Sequence, residues 1–260
     1  MKNILELKAL SVRCKYNPVL QDINLTLQAG EILGIVGESG SGKSSLLRAI
    51  MGILPSGWRI SQGELLFGGQ DLLRLSERDW RAIRGAQLGM VFQNSATTLC
   101  PLRTIGSQIE ESMCAHGRNN KQDIYTAATD IFAALNLDDI DRIWRSYPFE
   151  LSGGMSQRVA IALAAMLEPT VLLADEPTSA LDIINQAQIL QELQRLQQAT
   201  DMGIVFVTHN IKLLVGFADR IVVMQQGRVV ESGTTQAIIN APQAEYTRTL
   251  INAVPRILRS

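Results

Sequence analysis

The sequence lacks an apolar stretch long enough to cross a membrane. Its longest uninterrupted apolar run, residues 159–167, lies between Arg158 and Glu168, whereas a transmembrane helix needs roughly 18 such residues. The first six residues include an acidic side chain where a signal peptide would be apolar. We therefore expect a chain that stays in the cytoplasm and does not span a membrane by itself.

The sequence also contains few cysteines and has almost no net charge. The three cysteines, Cys14, Cys100 and Cys114, show no Cys-x-x-Cys spacing, so we expect reduced thiols without a metal or disulfide role. The formal net charge of -1 and the pI near 6.2 provide no global attraction for nucleic acid. We expect no nucleic-acid partner.

The segment that organises the chain is Gly-Glu-Ser-Gly-Ser-Gly-Lys-Ser at 37–44. It follows the apolar run 32–36 and precedes the helical-looking segment 45–51. It fits the G-x-x-x-x-G-K-[ST] phosphate-binding loop in a strand–loop–helix context. The complete motif favours this interpretation over a Gly- and Ser-rich turn that binds nothing.

Phosphate binding explains why each residue type occurs in this loop. Glycines at Gly37, Gly40 and Gly42 allow backbone conformations in which successive N–H groups point at phosphate oxygens. Lys43 supplies a positive charge for the β- and γ-phosphates, and Ser44 offers a hydroxyl to Mg²⁺. The helix that starts here also directs its positive end at the anion.

Alternation of apolar and polar residues predicts two antiparallel strands, at 4–13 and 20–27, with a turn at residues 17–18. Tyr16 lies in this turn. It could stack on an adenine ring or be a surface tyrosine, and the local sequence favours neither.

Polar residues also follow predicted buried strands, at the edge where open α/β sheets bind ligands. Asp175 is suited to hold Mg²⁺ through water, which leaves Glu176 to orient or deprotonate a water that attacks the γ-phosphate. Gln93 and His209 occupy similar strand ends. Taken alone, each would more often be structural, but their shared position favours function.

Residues from about 95 to 150 predict a helical insertion. The segment Leu-Ser-Gly-Gly-Met-Ser-Gln-Arg follows and opens a helix predicted at 156–167. Ser152 and the N–H groups of Gly153 and Gly154 would form a second anion site at that helix N-terminus. Asp182 ends the segment Ser-Ala-Leu-Asp at 179–182. It is suited equally well to a place in that motif and to the N-cap of the next helix.

These elements together resemble the ATP-binding-cassette ATPases over about residues 5–250. The Leu-Ser-Gly-Gly signature distinguishes this family from other phosphate-loop NTPases, because the others lack it. The motifs appear in this order: the phosphate loop, Gln93, Leu-Ser-Gly-Gly, Leu-Leu-Ala-Asp-Glu-Pro, Ser-Ala-Leu-Asp and Thr-His. The resemblance implies an α/β fold with a phosphate-loop NTPase (RecA-like) core, an N-terminal antiparallel β lobe and an inserted α-helical subdomain.

We accordingly expect one cassette domain over residues 1–260. Its predicted parts are a β lobe with the ATP-binding core at 1–94, a helical subdomain at 95–155, a core continuation at 156–233 and a C-terminal helical tail at 234–260.

The resemblance also implies residue roles in an ATPase that uses ATP and Mg²⁺. Tyr16 would stack on adenine, Glu176 would be the catalytic carboxylate and His209 would contact the γ-phosphate. Ser44, Gln93 and Asp175 would bind or support Mg²⁺. The remaining nucleotide-binding residues would be Gly37, Glu38, Ser39, Gly40, Ser41, Gly42, Lys43 and Ser45.

In this family the signature, Ser152, Gly153 and Gly154 here, is offered to the ATP of a partner subunit. A monomer would thus hold two half-sites and no complete one. The implied partners are a second, identical or homologous ATPase subunit in a head-to-tail dimer, two integral-membrane permease subunits and, indirectly, an extracytoplasmic substrate-binding protein. The implied location is peripheral, at the cytoplasmic face of the cell (inner) membrane.

A subgroup resemblance rests on Tyr-Pro-Phe-Glu-Leu-Ser-Gly-Gly-Met at 147–155 and Tyr-Thr-Arg at 246–248, which are similar to the dipeptide, oligopeptide and nickel importer ATPases. Met155 and Asn210 depart from the family's usual Gln and Asp. The sequence ends at Ser260 without a Cys-rich extension, which favours the nickel-type or metallophore-type members. A non-transport cassette ATPase and a degenerate regulatory subunit are the alternatives.

Overall fold

The computed structural model describes residues 3–93 and 98–253. The chain divides into two compact units, one formed by Met1–Leu75 with Gly203–Ser260 and the other by Ser76–Met202. None of the helices within the described ranges is both long and apolar enough to cross a bilayer. The four-part division drawn from the sequence remains a prediction.

The first unit begins with an antiparallel sheet. Its strands are β1 Asn3–Cys14, β2 Asn17–Gln28, β4 Trp58–Phe67 and β5 Gln70–Asp71. They lie in the order β2-β1-β4-β5, and β1 pairs with β2 through contacts such as Leu7 opposite Leu25. The two predicted N-terminal strands are therefore confirmed.

The turn between β1 and β2 lies two residues earlier than predicted. Lys15 (φ 55°) and Tyr16 form it, whereas Asn17 and Pro18 already belong to β2. Because β2 is an edge strand of this sheet, the missing N–H of Pro18 removes no interior ladder bond. The prediction that Asn17 and Pro18 form the turn is wrong for this reason.

A buried strand then leads to the predicted phosphate loop. Every residue of β3 (Ile32–Val36) is buried, and helix α1 (Lys43–Ile50) follows the loop. Leu46, Leu47 and Ile50 anchor the inner face of α1. The strand–loop–helix order predicted from the sequence is therefore present.

The second unit contains a parallel strand pair and several helices. β6 (Leu88–Val91) pairs with β7 (Val171–Asp175), with Val91 opposite Ala174. Side-chain caps start most of the helices, as Thr104, Asn120 and Asp139 do. The helices are α2 Glu77–Ile83, α3 Ile105–Ala115, α4 Lys121–Ala134, α5 Ile140–Arg145, α6 Gly153–Ala165 and α7 Ile183–Thr200.

Helix α6 begins three residues before its predicted start at 156. The Ser152 hydroxyl accepts a hydrogen bond from the Met155 N–H, which caps the helix and places both signature glycines in its first turn. Glycine has low helix propensity, so the sequence pattern alone placed the start too late.

The chain then returns to the first unit and adds strands β8 (Gly203–Thr208), β9 (Arg220–Gln225) and β10 (Arg228–Thr234) to a second sheet. β3 lies between β8 and β9 and is parallel to both, while β10 pairs antiparallel with β9. Val36 is opposite Thr208, so the phosphate loop and His209 leave the sheet at the same edge. Two helices follow, α8 Thr235–Asn240 and α9 Glu245–Ala253.

Candidate functional site

Lys43 is the centre of the loop in the first unit. Its side chain is 4% exposed, and its ammonium group donates to the carbonyl oxygens of Gly37 at 2.7 Å and Glu38 at 2.8 Å. The Ser41 hydroxyl lies 3.5 Å away. The loop thus wraps around the ammonium and surrounds its positive charge with backbone oxygens.

Two loop glycines are required for different physical reasons. Gly42 is the N-cap of α1 with φ 102°, a conformation that L side chains rarely adopt. Gly37 is required by space instead, because a Cβ there would overlap the carbonyl oxygen of Met224 on β9 and crowd the Ser41 hydroxyl. The sequence motif explained the first glycine by conformation but did not reveal the neighbour of the second.

The other predicted residues of the first unit lie around this loop or at the sheet edge. Tyr16 is 92% exposed in the β1–β2 turn, and its stacking on adenine stays a prediction. His209 is exposed directly after β8. The remaining loop positions are Glu38, Ser39 and Gly40, which are exposed, and Ser44 and Ser45, which are half-buried in the first turn of α1.

In the second unit the structure brings together Gln93 and Glu176. Because β6 and β7 are parallel, both side chains lie beyond the same edge, and the Gln93 amide donates to a Glu176 carboxylate oxygen at 3.4 Å. Glu176 has φ 45°, an uncommon backbone conformation for a non-glycine residue. Asp175, the last residue of β7, is 2% exposed. An oxygen-rich acidic site results.

The signature turn lies in the same unit, at the start of α6. Gly153 and Gly154 open α6 behind the Ser152 cap, and Gly153 is exposed. Within the described part of the chain, a Cβ on Gly153 would have open space around it. The N–H groups of this first turn and the positive end of the helix therefore favour an anion.

The two departures from the family pattern both lie next to caps. Met155 contributes its backbone N–H to the Ser152 cap, which any residue other than proline could do, so the structure does not explain the choice of methionine. The Asn210 side chain accepts from the Lys212 N–H and so caps the short 3-10 turn Ile211–Leu214. An aspartate there could form the same cap, so Asn210 preserves this local structure.

A buried ion pair lies behind the signature, and sequence reasoning did not identify it. The Arg158 Nε donates to both carboxylate oxygens of Glu192 on α7, at 3.1 and 3.0 Å, and the side chains are 10% and 1% exposed. Asn136 and Gln188 complete the hydrogen bonding. A Cβ on Gly154 would lie 3.4 Å from the guanidinium, so the pair packs directly under the signature turn.

The available signal for this pair was a charge on an apolar helix face. Glu192 lies among Ile189, Leu193 and Leu196, which are all buried on α7. A carboxylate at such a position needs a buried partner. The sequence alone could not indicate that Arg158 provides it.

A loop built around a buried lysine at a helix N-terminus defines a nucleoside-triphosphate-binding protein. The family model described as ABC transporter matches residues 20–179. The chain therefore belongs to the ABC transporter family, as an ATP-binding ATPase subunit that powers transport. The family and the α/β cassette fold predicted from the sequence are confirmed.

Relatives cover most of the chain. It is 40% identical to the oligopeptide transport ATP-binding protein AmiE of Streptococcus pneumoniae, over 95% of this chain and 70% of that protein. It is 44% identical to the dipeptide transport ATP-binding protein DppD of Escherichia coli, over 90% and 71%. It is 42% identical to the glutathione import ATP-binding protein GsiA of Salmonella choleraesuis, over 92% and 39%.

Solved structures share the fold. The dimeric post-hydrolysis state of the ATP-binding cassette MJ0796 with ADP and Pi superposes with a TM-score of 0.77 at 29% identity, covering 89% of this chain and 98% of that one. CbiO1 from Clostridium perfringens, part of the ABC transporter complex cbiONQ, has a TM-score of 0.78 at 27% identity, covering 99% and 98%.

Removing either partner of the buried pair should destabilise the second unit strongly. We expect Glu192→Ala or Arg158→Ala to lower the free energy of unfolding by about 3 kcal/mol or more, because the remaining charge stays buried. The double variant should lose less than the sum of the two. Chemical unfolding measures this.

The matched control is Glu111→Ala, which breaks the ion pair between the exposed side chains of Glu111 and Arg103 in the same unit and should change the free energy of unfolding by about 0.5 kcal/mol or less. Equal effects at the exposed and the buried pair would contradict the interpretation.

Proposed function

We propose that this chain is the ATP-hydrolysing subunit of an importer, bound peripherally at the cytoplasmic face of the cell (inner) membrane. The observation that carries the proposal is the buried ammonium of Lys43, held by the loop's own carbonyl oxygens at the start of α1. Two integral-membrane permease subunits would form the pathway. An extracytoplasmic binding protein would deliver the substrate to them.

The residues that follow the strands of each unit have complementary chemical roles in this proposal. In the first unit, residues 37–45 bind the phosphates, Tyr16 stacks on the adenine and His209 contacts the γ-phosphate. In the second unit, Glu176 orients the attacking water and accepts its proton. The Gln93 amide supports this role by holding the Glu176 carboxylate.

Mg²⁺ is the proposed metal cofactor. Asp175 and Gln93 offer the carboxylate and amide oxygens that Mg²⁺ prefers, and Ser44 offers a hydroxyl. The buried position of Asp175 at the end of β7 supports this choice, since a carboxylate that is 2% exposed favours a nearby cation. Mg²⁺ would neutralise charge on the phosphates.

Ser152, Gly153 and Gly154 would serve the nucleotide of a second ATPase subunit, identical or homologous, in a head-to-tail dimer. The exposed first turn of α6 supports this proposal, since its N–H groups suit an anion from outside the chain. The dimeric state named for the MJ0796 cassette also supports it. Each subunit alone would bind ATP but hydrolyse it slowly.

Peptides are the proposed cargo class. The oligopeptide, dipeptide and glutathione transporters named among the relatives support this choice over the nickel or metallophore cargo that the sequence favoured. Cargo selection itself would lie in the permease and the binding protein.

Glu176→Gln in the assembled complex should lower ATP turnover about 100-fold or more while ATP still binds, because the amide cannot accept the proton of the attacking water. Steady-state phosphate release and equilibrium ATP binding measure the two effects. Glu64→Gln is the matched control, since Glu64 is a surface residue paired with Lys8. Near-normal turnover in the Glu176 variant would refute its catalytic role.

With its permease and binding protein in lipid vesicles, the complex should show ATPase activity that di- or oligopeptides stimulate. Free Ni²⁺ and chelated Ni²⁺ should not stimulate it. The Glu176→Gln complex serves as the background. Stimulation by chelated nickel and not by peptides would exclude the proposed cargo class.

A further inference from the structure

The Tyr-Thr-Arg segment at 246–248 anchors the C-terminal helix of the first unit. The Glu231 carboxylate on β10 accepts from the N–H groups of Gln243 at 2.8 Å and Ala244 at 3.0 Å, just before α9. Arg248 donates to the carbonyl oxygens of Pro242 and Gln243 at 3.0 and 3.2 Å. Backbone N–H groups and backbone carbonyl oxygens just before α9 are therefore both hydrogen-bonded, which fixes the start of the helix.

The charge balance at Glu231 agrees with this anchoring. Burial raises the pKa of the Glu231 carboxyl, but the hydrogen bonds from Gln243 and Ala244, the nearby Thr247 hydroxyl and the charge of Arg248 together outweigh burial, so the pKa lies below its ordinary value. The carboxylate stays ionised at neutral pH and holds α9 against β10.

Anchored in this way, α9 directs Tyr246 at the phosphate loop. Thr247 is fully buried and Leu250 is 8% exposed, so these residues form the inner face of the helix. The Tyr246 hydroxyl accepts a hydrogen bond from the Glu38 N–H at 3.0 Å. Burial raises the pKa of Tyr246 above its ordinary value, so the phenol is neutral when it does so.

A single peptide group joins Tyr246 to Lys43. The peptide between Gly37 and Glu38 donates its N–H to Tyr246 and accepts at its carbonyl oxygen from the Lys43 ammonium. A peptide group is planar, so fixing the direction of its N–H also fixes the direction of its carbonyl. Rotation of this peptide would remove an acceptor from the buried lysine.

We infer that Tyr246 is a positioning residue for nucleotide binding: its hydroxyl holds the Gly37–Glu38 peptide in the orientation that keeps Lys43 directed along the loop. The C-terminal helix thereby sets the affinity of the phosphate loop for ATP. This inference rests on the proposed role of residues 37–45 in binding the phosphates. It gives the Tyr-Thr-Arg segment a function in the ATPase itself.

Tyr246→Phe tests the inference, because it removes one hydroxyl and keeps the ring that packs in α9. We expect the Kd for ATP of the full chain, and the KM of the assembled complex, to rise about three- to tenfold, the range of one net hydrogen bond. The kcat at saturating ATP and the thermal midpoint without nucleotide should match those of the wild type. Arg248→Ala, which loosens the helix anchor, should weaken ATP binding in the same direction.

Tyr125→Phe is the matched control, since its hydroxyl donates to Asp141 in the second unit at 2.8 Å, and it should leave ATP affinity unchanged. Wild-type affinity in the Tyr246→Phe chain, or a fall in kcat without a change in KM, would overturn the inference. Lys43→Ala tests the proposed role of the loop separately from the role of Tyr246. If that variant kept full ATP affinity, the proposed role of the loop would itself be wrong.

Discussion

The structure of the first unit depends on satisfying one buried positive charge. An ammonium group removed from water is costly unless oxygen atoms surround it, and Lys43 obtains those oxygens only because the loop folds back over its side chain. That fold-back needs Gly42 in a left-handed conformation and leaves no room for a side chain at Gly37. A phosphate group would supply the negative charge that carbonyl dipoles only partly replace.

The second unit applies a related principle behind the signature. The first turn of α6 presents N–H groups outward, while the guanidinium of Arg158 lies against its inner side and is neutralised by Glu192. The buried ion pair thus supports the signature turn from its inner side. Such support matters, because an anion site gains affinity when its donors are already in place.

The sequence predicted those features correctly that depend on residues close together in the chain. The phosphate loop, the two carboxylates at the end of β7 and the cap at Asp182 each depend on residues within a few positions, and the structure places them on the expected elements. The Asn185 backbone N–H and side chain hold the pKa of Asp182 below its ordinary value, as suits an N-cap. The antiparallel N-terminal strands also follow from alternation within one segment.

Long-range contacts were beyond local reasoning. The crowding of Gly37 by Met224 and the Glu38–Tyr246 hydrogen bond each join residues far apart in the chain. No spacing rule connects such positions. The turn was predicted at Asn17 and Pro18 because proline is normally a turn residue. Proline is acceptable in β2 only because β2 is an edge strand.

The proposed dimer requires that each chain carry two half-sites, and mixing two inactive variants tests this most directly. Lys43→Ala removes the loop charge and keeps the signature, whereas Gly153→Asp keeps the loop and places a negative charge at the exposed first turn of α6, where a side chain fits. The measurement is the ATPase rate of each variant alone and of their mixture, in the presence of permease. We expect neither variant to be active alone and the mixture to recover part of the wild-type rate, because one composite site forms in each mixed dimer. Full activity of the Gly153→Asp chain by itself, or no recovery in a mixture shown to form mixed dimers, would contradict the claim.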